Sequence, residues 1–330
     1  MQTLAIFGAG RLGQSWGRLA QQSGRYRVVA VCCRSEAAAR RAVDFIGAGQ
    51  PATLDAPVAL ADLNLLAVPD DALAELATRL ADRPTAIAAT AFHASGVLDS
   101  AVLAPLTSAG LVCGSLHPAF SFAEPARAVQ TFAGTLCALE GNAAAQTTLQ
   151  AFAAAIGGRP FSLTPGSKAA YHASLSIASN FLVTLTGLAQ AVAAQAGIEG
   201  ELARSLLGNL MHQSLDNALT LGAARALTGP IARGDAATVR QHLAVLGGTP
   251  QAALYLALGR ATLALAQHSA EHAGVPADAW ARLSAELADP SAVAAPVPSI
   301  AVAPSEACAT GGTAAISPTS IAGPSPSEWS

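Results

Sequence analysis

Lysine is nearly missing from this 330-residue chain: of 18 basic residues 17 are arginine, and Lys168 stands alone. Positive charge is not in excess either, because 21 acidic residues leave a net charge of -3. That balance excludes the basic face that nucleic-acid or anionic-membrane binding demands, and makes a small molecule the expected partner. The five cysteines (Cys32, Cys33, Cys113, Cys137, Cys308) contain no CxxC pair. Cys32 and Cys33 are neighbours whose side chains leave a strand on opposite faces, which points to a reduced, cytoplasmic protein. No basic residue precedes the apolar run from Met1 to Phe7, so the pattern of a secretory signal is missing. Charge is also missing from Ala169 to Ile198, 30 residues long enough to span a bilayer. Within it, however, His172, Ser174, Ser176, Ser179, Asn180, Thr184, Thr186, Gln190 and Gln195 would each need a partner in lipid, so no membrane span is expected.

Short apolar runs alternate with helical stretches in the first half. Thr3–Phe7, Arg27–Cys33, Asn64–Val68, Ala86–Phe92 and Leu111–Leu116 read as buried strands, with further strands at Thr135–Leu139 and Arg159–Leu163. Such alternation predicts an α/β domain with a parallel sheet, ending near Thr164. From Ser167 the strand signal disappears, and helices are expected at Lys168–Ala196, Glu201–Leu221, Ala236–Leu246, Pro250–Ala273 and Ala277–Ala288. Gly197, Gly222, Gly247 and Gly274 sit where C-caps belong, and Asp235 where an N-cap belongs. The first of these helices would be about 45 Å long at 1.5 Å per residue. Being apolar nearly all round, it is expected to be buried, against a second subunit in a homodimer. The predicted division is therefore 1–164 for a dinucleotide-binding domain, 165–289 for an all-helical substrate and dimerisation domain, and 290–330 for a Pro-, Ala- and Ser-rich tail expected to be disordered.

Gly8-Ala9-Gly10-Arg11-Leu12-Gly13 forms GxGxxG between an apolar strand and a helical stretch. In that context the glycines allow a tight turn and bring pyrophosphate close to the N–H groups of a helix N-terminus. This is a Rossmann-type signature. A dinucleotide with free ribose hydroxyls is usually held by an Asp or Glu ending the second strand, but here that strand ends Cys32-Cys33-Arg34-Ser35. Arg34 and Ser35, with Arg40 and Arg41 beyond, suit the 2′-phosphate of NADP(H), although the same residues would also serve a solvated helix start. Val68 and Pro69 end the next clear strand and are expected along the cofactor.

Lys168 and His172 stand at i and i+4, on one helix face, where the helical domain leaves the sheet domain. An ammonium or imidazolium there meets the proton demand or negative charge that hydride delivery to C=O or C=N creates. Asn180 is placed to orient either. His93 and Ser95, in His93-Ala94-Ser95-Gly96, and His117, in Ser115-Leu116-His117-Pro118, follow strand ends and are expected at the substrate. No HxxH or HExxH accompanies the histidines, so no metal site is expected. In the interhelical loop 226–235, Thr228 and Arg233 are candidate grips for a substrate carboxylate, unless the loop is only a turn capped by Asp235.

The glycine loop, HASG at 93–96, SLHPAFSF at 115–122, KAAYHASLSIASNFLVTL at 168–185 and ALTGPIARGD at 226–235 together resemble a bacterial family that joins a Rossmann-like domain to a C-terminal domain of unknown function. Its members are often labelled oxidoreductase or deazaflavin-dependent NADP reductase-like, and the resemblance covers about residues 1–285. The layout is similar to ketopantoate reductase, pyrroline-5-carboxylate reductase and the beta-hydroxyacid dehydrogenases, which implies a helical second domain like the C-terminal domain of 6-phosphogluconate dehydrogenase. In the beta-hydroxyacid dehydrogenases a Lys and a nearby Asn on the first long helix act on the substrate. Lys168 matches that Lys, whereas Asn comes only at 180 and His172 occupies the intervening turn. The resemblance implies an NADPH-dependent reductase of a small keto or imino acid, ketopantoate-like as a first guess. An NADP-deazaflavin oxidoreductase and a non-catalytic NADP sensor or scaffold are the alternatives.

Overall fold

The computed structural model describes residues 1–84 and 89–288. Eight strands form one sheet: β1 Gln2–Phe7, β2 Tyr26–Cys33, β3 Gln50–Thr53, β4 Leu63–Leu66, β5 Thr90–His93, β6 Val112–Pro118, β7 Leu136–Gly141 and β8 Arg159–Ser162. Their order is β3-β2-β1-β4-β5-β6-β7-β8. The short edge strand β3 carries little apolar signal (QPAT) and was not expected. Part of the strand expected at Ala86–Phe92 lies outside the described residues.

Neighbouring strands run parallel except β6 and β7, which pair antiparallel with Pro118 opposite Cys137 and Gly114 opposite Gly141. The sheet is thus mostly parallel, as the alternation of strands and helices predicts, with one antiparallel pair. Residues 119–135 return the chain to the end of β6 that it has just left, so no crossover separates the two strands.

Helices α1 Arg11–Gln22, α2 Glu36–Ile46, α3 Leu73–Ala81, α4 Ala104–Ser108, α5 Pro125–Thr131 and α6 Ala143–Ala155 cover the sheet. Alternation along the strands feeds two cores. Leu4 and Ile6 of β1 join one with Trp16, Phe92, Phe132 and Phe152, while Ala5 and Phe7 join the other with Leu73, Leu76 and Leu103. Cys33 belongs to the first core and Cys32 to the second, on opposite faces as their adjacency requires. Trp16 is fully buried, with its ring 6.3 Å from Phe92 and 5.9 Å from Phe152.

By compactness the chain divides into Met1–Ala189 and a second unit from Gln190 on. The first therefore runs past the boundary expected at Thr164 and includes α7 Lys168–Ala178 and most of α8 Asn180–Ala194. Gly166, with φ +79°, turns the chain into α7. The single helix expected over Lys168–Ala196 is two, because Ser179 leaves helical geometry at φ -116°, ψ -67°.

Nor is that segment buried within one chain. Ile177, Phe181 and Val183 are 62%, 56% and 72% exposed. Lys168–Ala194 is the one stretch among the described residues long and apolar enough to cross a membrane by length and composition.

The second unit holds α9 Gly200–Leu221, α10 Ala223–Ala226, α11 Ala236–Leu246, α12 Pro250–Gln267 and α13 Ala277–Leu287. Every regular element among its described residues is a helix. Its small core gathers Ile231, Val239, Leu256, Leu263, Leu283 and Leu287. The Asp235 carboxylate accepts from Thr238 N at 3.0 Å, the N-cap its position predicts. At the other end of α11 the left-handed residue is Gly248 (φ +73°) rather than Gly247. The tail 290–330 lies outside the described residues.

Candidate functional site

The order of strands reverses between β1 and β4, the point at which open α/β sheets bind ligands beyond their carboxyl ends. The glycine loop leaves β1 there. Gly8 has φ +91°, and a Cβ on it would stand 2.5 Å from Ala67 O and 2.7 Å from Val68 Cγ1. A Cβ on Gly13 would meet Gly8 O at 2.5 Å, so the loop closes only with hydrogen at both positions. Gly10, the N-cap of α1, faces open space: a Cβ there would have no atom within 4 Å, and no side chain caps the helix. Ala9 and Leu12 pack against the core, and Ala9 O accepts from Gln14 Nε2 at 2.9 Å. Arg11 is the first residue of α1, with its side chain exposed.

Beside this loop β2 ends at Cys33. Arg34 is exposed and makes no ion pair among the described residues, and Ser35 Oγ caps α2 by accepting from Ala38 N at 3.3 Å. The nearby acid Glu36 is paired with Arg40 at 2.5 Å, which takes its charge out of opposition to an incoming phosphate. An open Gly10 at an uncapped helix N-terminus, with free guanidinium groups at the end of β2, fits the diphosphate and 2′-phosphate of a dinucleotide. Val68 and Pro69 follow β4 and border the loop.

A second cluster forms on β6 and β7 and just past β4 and β5. Lys168 is 5% exposed and donates from Nζ to Ser95 O at 2.8 Å and to Ser115 Oγ at 2.7 Å. Ser115 Oγ donates in turn to Glu140 Oε2 at 3.1 Å, and Glu140 also accepts from Ser100 N at 2.7 Å and Ser100 Oγ at 2.8 Å. The ammonium thus shares a hydroxyl with a carboxylate. Burial pulls Lys168 down to about 8, opposed by Glu140, Asp99 and Asp70.

Ser95 is buried as well. Its Oγ donates to Asp70 Oδ2 at 2.7 Å and accepts from Leu98 N at 2.9 Å. The Asp70–Ser95 bond ties the segment after Val68-Pro69 to the turn that holds Lys168.

The structure gives His93 an internal role instead of the substrate contact expected of it. It is fully buried, Nε2 donates to Asp99 O at 3.1 Å, and Nδ1 accepts from Ser95 N at 3.1 Å. Both nitrogens are consumed, and burial, helped by Lys168, pulls the imidazole down to about 4. The histidines that line a cavity are His117 and His172, whose ring centroids lie 5.5 Å apart at 88°. His117 Nδ1 lies 3.0 Å from the Tyr171 hydroxyl, and burial, then the neighbouring His172 and Lys168, pull His117 down to about 4. His172 Nδ1 is buried without a hydrogen-bond partner.

With Asn180 these two histidines line a cavity of about 310 Å³, together with Phe120, Ser121, Leu175, Ser176 and Ser179. His117, His172 and Asn180 are thereby brought together. Lys168 is not among the lining residues. Thr228 and Arg233 are exposed side chains in the second unit, on the turn that Gly234 (φ +77°) packs against Val275 and Ala279.

Sequence reasoning missed Glu140, Asp70, Tyr171 and Ser115 as members of this cluster. Glu140 carried a signal, being the one charge in the apolar strand LCALEG.

A family model described as a Rossmann-like domain matches residues 2–118, and one described as a domain of unknown function, DUF2520, matches 135–262. No curated protein sequence matches the chain. Among solved structures, protein TM1727 from Thermotoga maritima is 26% identical with TM-score 0.61, covering 80% of this chain and 98% of that one. BF3122 from Bacteroides fragilis, provisionally assigned as an NADP oxidoreductase, is 21% identical with TM-score 0.67 over 80% and 98%. A reductive aminase from Aspergillus terreus, solved with NADPH and ethyl levulinate, is 17% identical with TM-score 0.56 over 86% and 99%. The chain shares their fold, and its two parts are similar to a Rossmann-like domain and to a DUF2520 domain.

Proposed function

We propose that this protein is an NADP(H)-dependent oxidoreductase that reduces the C=O or C=N of a small keto or imino acid. The observation that carries the reading is a glycine-shaped loop at the β1–β4 reversal and a histidine-lined cavity of small-molecule size in one compact unit, linked through Asp70 and Ser95. The reductive aminase solved with NADPH supports the same cofactor and reaction class.

Gly8, Ala9, Gly10, Arg11, Leu12 and Gly13 hold the diphosphate, Arg34 and Ser35 the 2′-phosphate, and Val68 and Pro69 flank the cofactor. When bound, the nicotinamide supplies the hydride. His172 and Asn180 offer polar atoms to the substrate from the cavity wall. Lys168 acts as an electrostatic stabiliser: a buried ammonium fixed by Ser95 O and Ser115 Oγ, one helical turn before His172, favours negative charge developing on the reduced centre.

Exposed apolar side chains on α8 and α9, among them Phe181, Val183, Leu206, Leu210 and Leu219, support a homodimer that covers them. Light scattering behind gel filtration should give twice the chain mass.

The test of function is NADPH oxidation against a panel of keto and imino acids. Turnover on at least one, reduced about 10²–10⁴-fold by His172→Ala, is the expected result. NADPH binding without turnover on any would favour a sensor, turnover only with an added deazaflavin the deazaflavin oxidoreductase, and failure to bind NADPH would end the reading.

A further inference from the structure

Lys168 is the only lysine in the chain, and it is buried. Its ammonium meets two partners, Ser95 O at 2.8 Å and Ser115 Oγ at 2.7 Å, and neither carries a charge. An ammonium taken out of water onto neutral partners sheds its proton unless a negative charge is near. His93 and His117 supply none, since burial pulls both imidazoles down to about 4 and so leaves them neutral. His172, one turn further along α7, is no anion either. The proton is held instead by three carboxylates on other elements: Glu140 on β7, Asp99 after β5 and Asp70 after β4.

These acids are not equivalent. Asp70 and Asp99 are exposed, so water screens their pull, and each spends its carboxylate elsewhere: Asp70 accepts from Ser95 Oγ at 2.7 Å and Asp99 from Ala101 N at 3.1 Å. Glu140 is half-buried and stands directly opposite Ser115 in the antiparallel β6–β7 register. That pairing puts one hydroxyl between cation and anion. Ser115 Oγ has a single proton, which it donates to Glu140 Oε2 at 3.1 Å, and so turns a lone pair toward Lys168 Nζ. Ser100 N at 2.7 Å and Ser100 Oγ at 2.8 Å donate to the same carboxylate and hold it in place.

We propose that Glu140 is a positioning residue that keeps the buried Lys168 ammonium protonated through the Ser115 hydroxyl. It acts by its charge and by fixing which way that hydroxyl points. The consequence for turnover, an alkaline limit set by loss of the ammonium, rests on the reductase reading. The tie of carboxylate to amine requires neither cofactor nor substrate.

Because the chain has one lysine, isotope-labelled lysine gives one side-chain ε-carbon signal, and its shift against pH on the full chain reads the Lys168 titration directly. Wild type should titrate at about 8. Glu140→Gln removes the charge and keeps the bonds: an amide oxygen in place of Oε2 accepts from Ser115 Oγ and Ser100 N, and an amide nitrogen in place of Oε1 donates to Ser100 Oγ. It should lower the Lys168 midpoint by about one unit or more, a tenfold loss of proton affinity, and by more than Asp70→Asn or Asp99→Asn does. Glu140→Asp, which keeps the charge on a shorter arm, should fall between Glu140→Gln and wild type. Ser115→Ala should lower the midpoint as well. Melting curves show which variants fold, and Ser115→Ala decides if Glu140→Gln does not. An unmoved midpoint in the deciding variant, or equal shifts in Glu140→Gln, Asp70→Asn and Asp99→Asn, overturns the assignment. On an accepted substrate the alkaline limb of kcat/KM should move down with the midpoint. A midpoint that moves while that limb stays would remove Lys168 from the reductase reading and leave Glu140 in its role.

Discussion

The two ends of the sheet's carboxyl edge are built by different means. At the β1–β4 reversal the site is backbone: Gly8, Gly10 and Gly13 shape it by what they lack, and its charged side chains, Arg11 and Arg34, point outward. Around β5, β6 and β7 the site is side chains, with Lys168, Ser115, Glu140, Ser95 and Asp70 locked in one chain of hydrogen bonds. A backbone site tolerates changes around it and fails when a glycine acquires a Cβ. A side-chain network fails when any buried member loses its partner. Substitutions at the two ends should therefore separate stability from cofactor binding.

The largest effect is expected at the network. Lys168→Met removes a buried cation, leaves Ser95 O and Ser115 Oγ each without the donor they have, and takes away the positive charge near Glu140. Breaking a buried charged pair typically costs about 3–5 kcal/mol, so urea unfolding should show a loss of that order. Turnover on an accepted substrate should fall about 10²–10⁴-fold, with NADP+ affinity changed little. A Lys168→Met chain as stable as wild type would show that the network carries no load and dissolve the contrast.

Next in size is Gly8→Ala. Its methyl would collide with Ala67 O at φ +91°, a strain of about 1–3 kcal/mol. NADP+ affinity should drop at least tenfold while the Lys168 titration keeps its wild-type midpoint. A displaced midpoint would mean that the two ends are not separable.

A smaller, graded effect follows from His93. Its folded value is about 4 against an ordinary 6.5, so between those limits the unfolded chain binds the extra proton. Stability is full above about pH 6.5 and is lost as the pH falls toward 4, at up to about 1.4 kcal/mol per unit for one group. Lys168 acts in the alkaline range: with its value near 8 against 10.5, stability should rise as the pH climbs between the two. Urea midpoints across pH 4.5–10 check both, and Lys168→Met should abolish the alkaline rise.

The contrast also explains what could be read before any coordinates. The glycine loop was legible because its chemistry sits in six consecutive residues after an apolar strand. Lys168, His172 and Asn180 were legible as one helical face, and the fold followed from the alternation of strands and helices. Glu140 and Asp70 were not, since their role depends on β6–β7 pairing and on the order in which β4, β5 and β6 lie side by side. His93 misled for the same reason. A histidine after a strand looks available until the turn from Ser95 to Asp99 folds back over both of its nitrogens. The break at Ser179 was hidden because SIASN lacks the Gly or Pro that usually interrupts a helix.

The most direct test of the central claim is a paired titration of NADPH and NADH against wild type and Arg34→Asp. Charge-assisted bonds from Arg34 to the 2′-phosphate predict that wild type prefers NADPH, and that Arg34→Asp loses about ten- to hundredfold in NADPH affinity while NADH binding holds or improves. Equal affinity of wild type for the two cofactors, or NADPH affinity unchanged in Arg34→Asp, would contradict it.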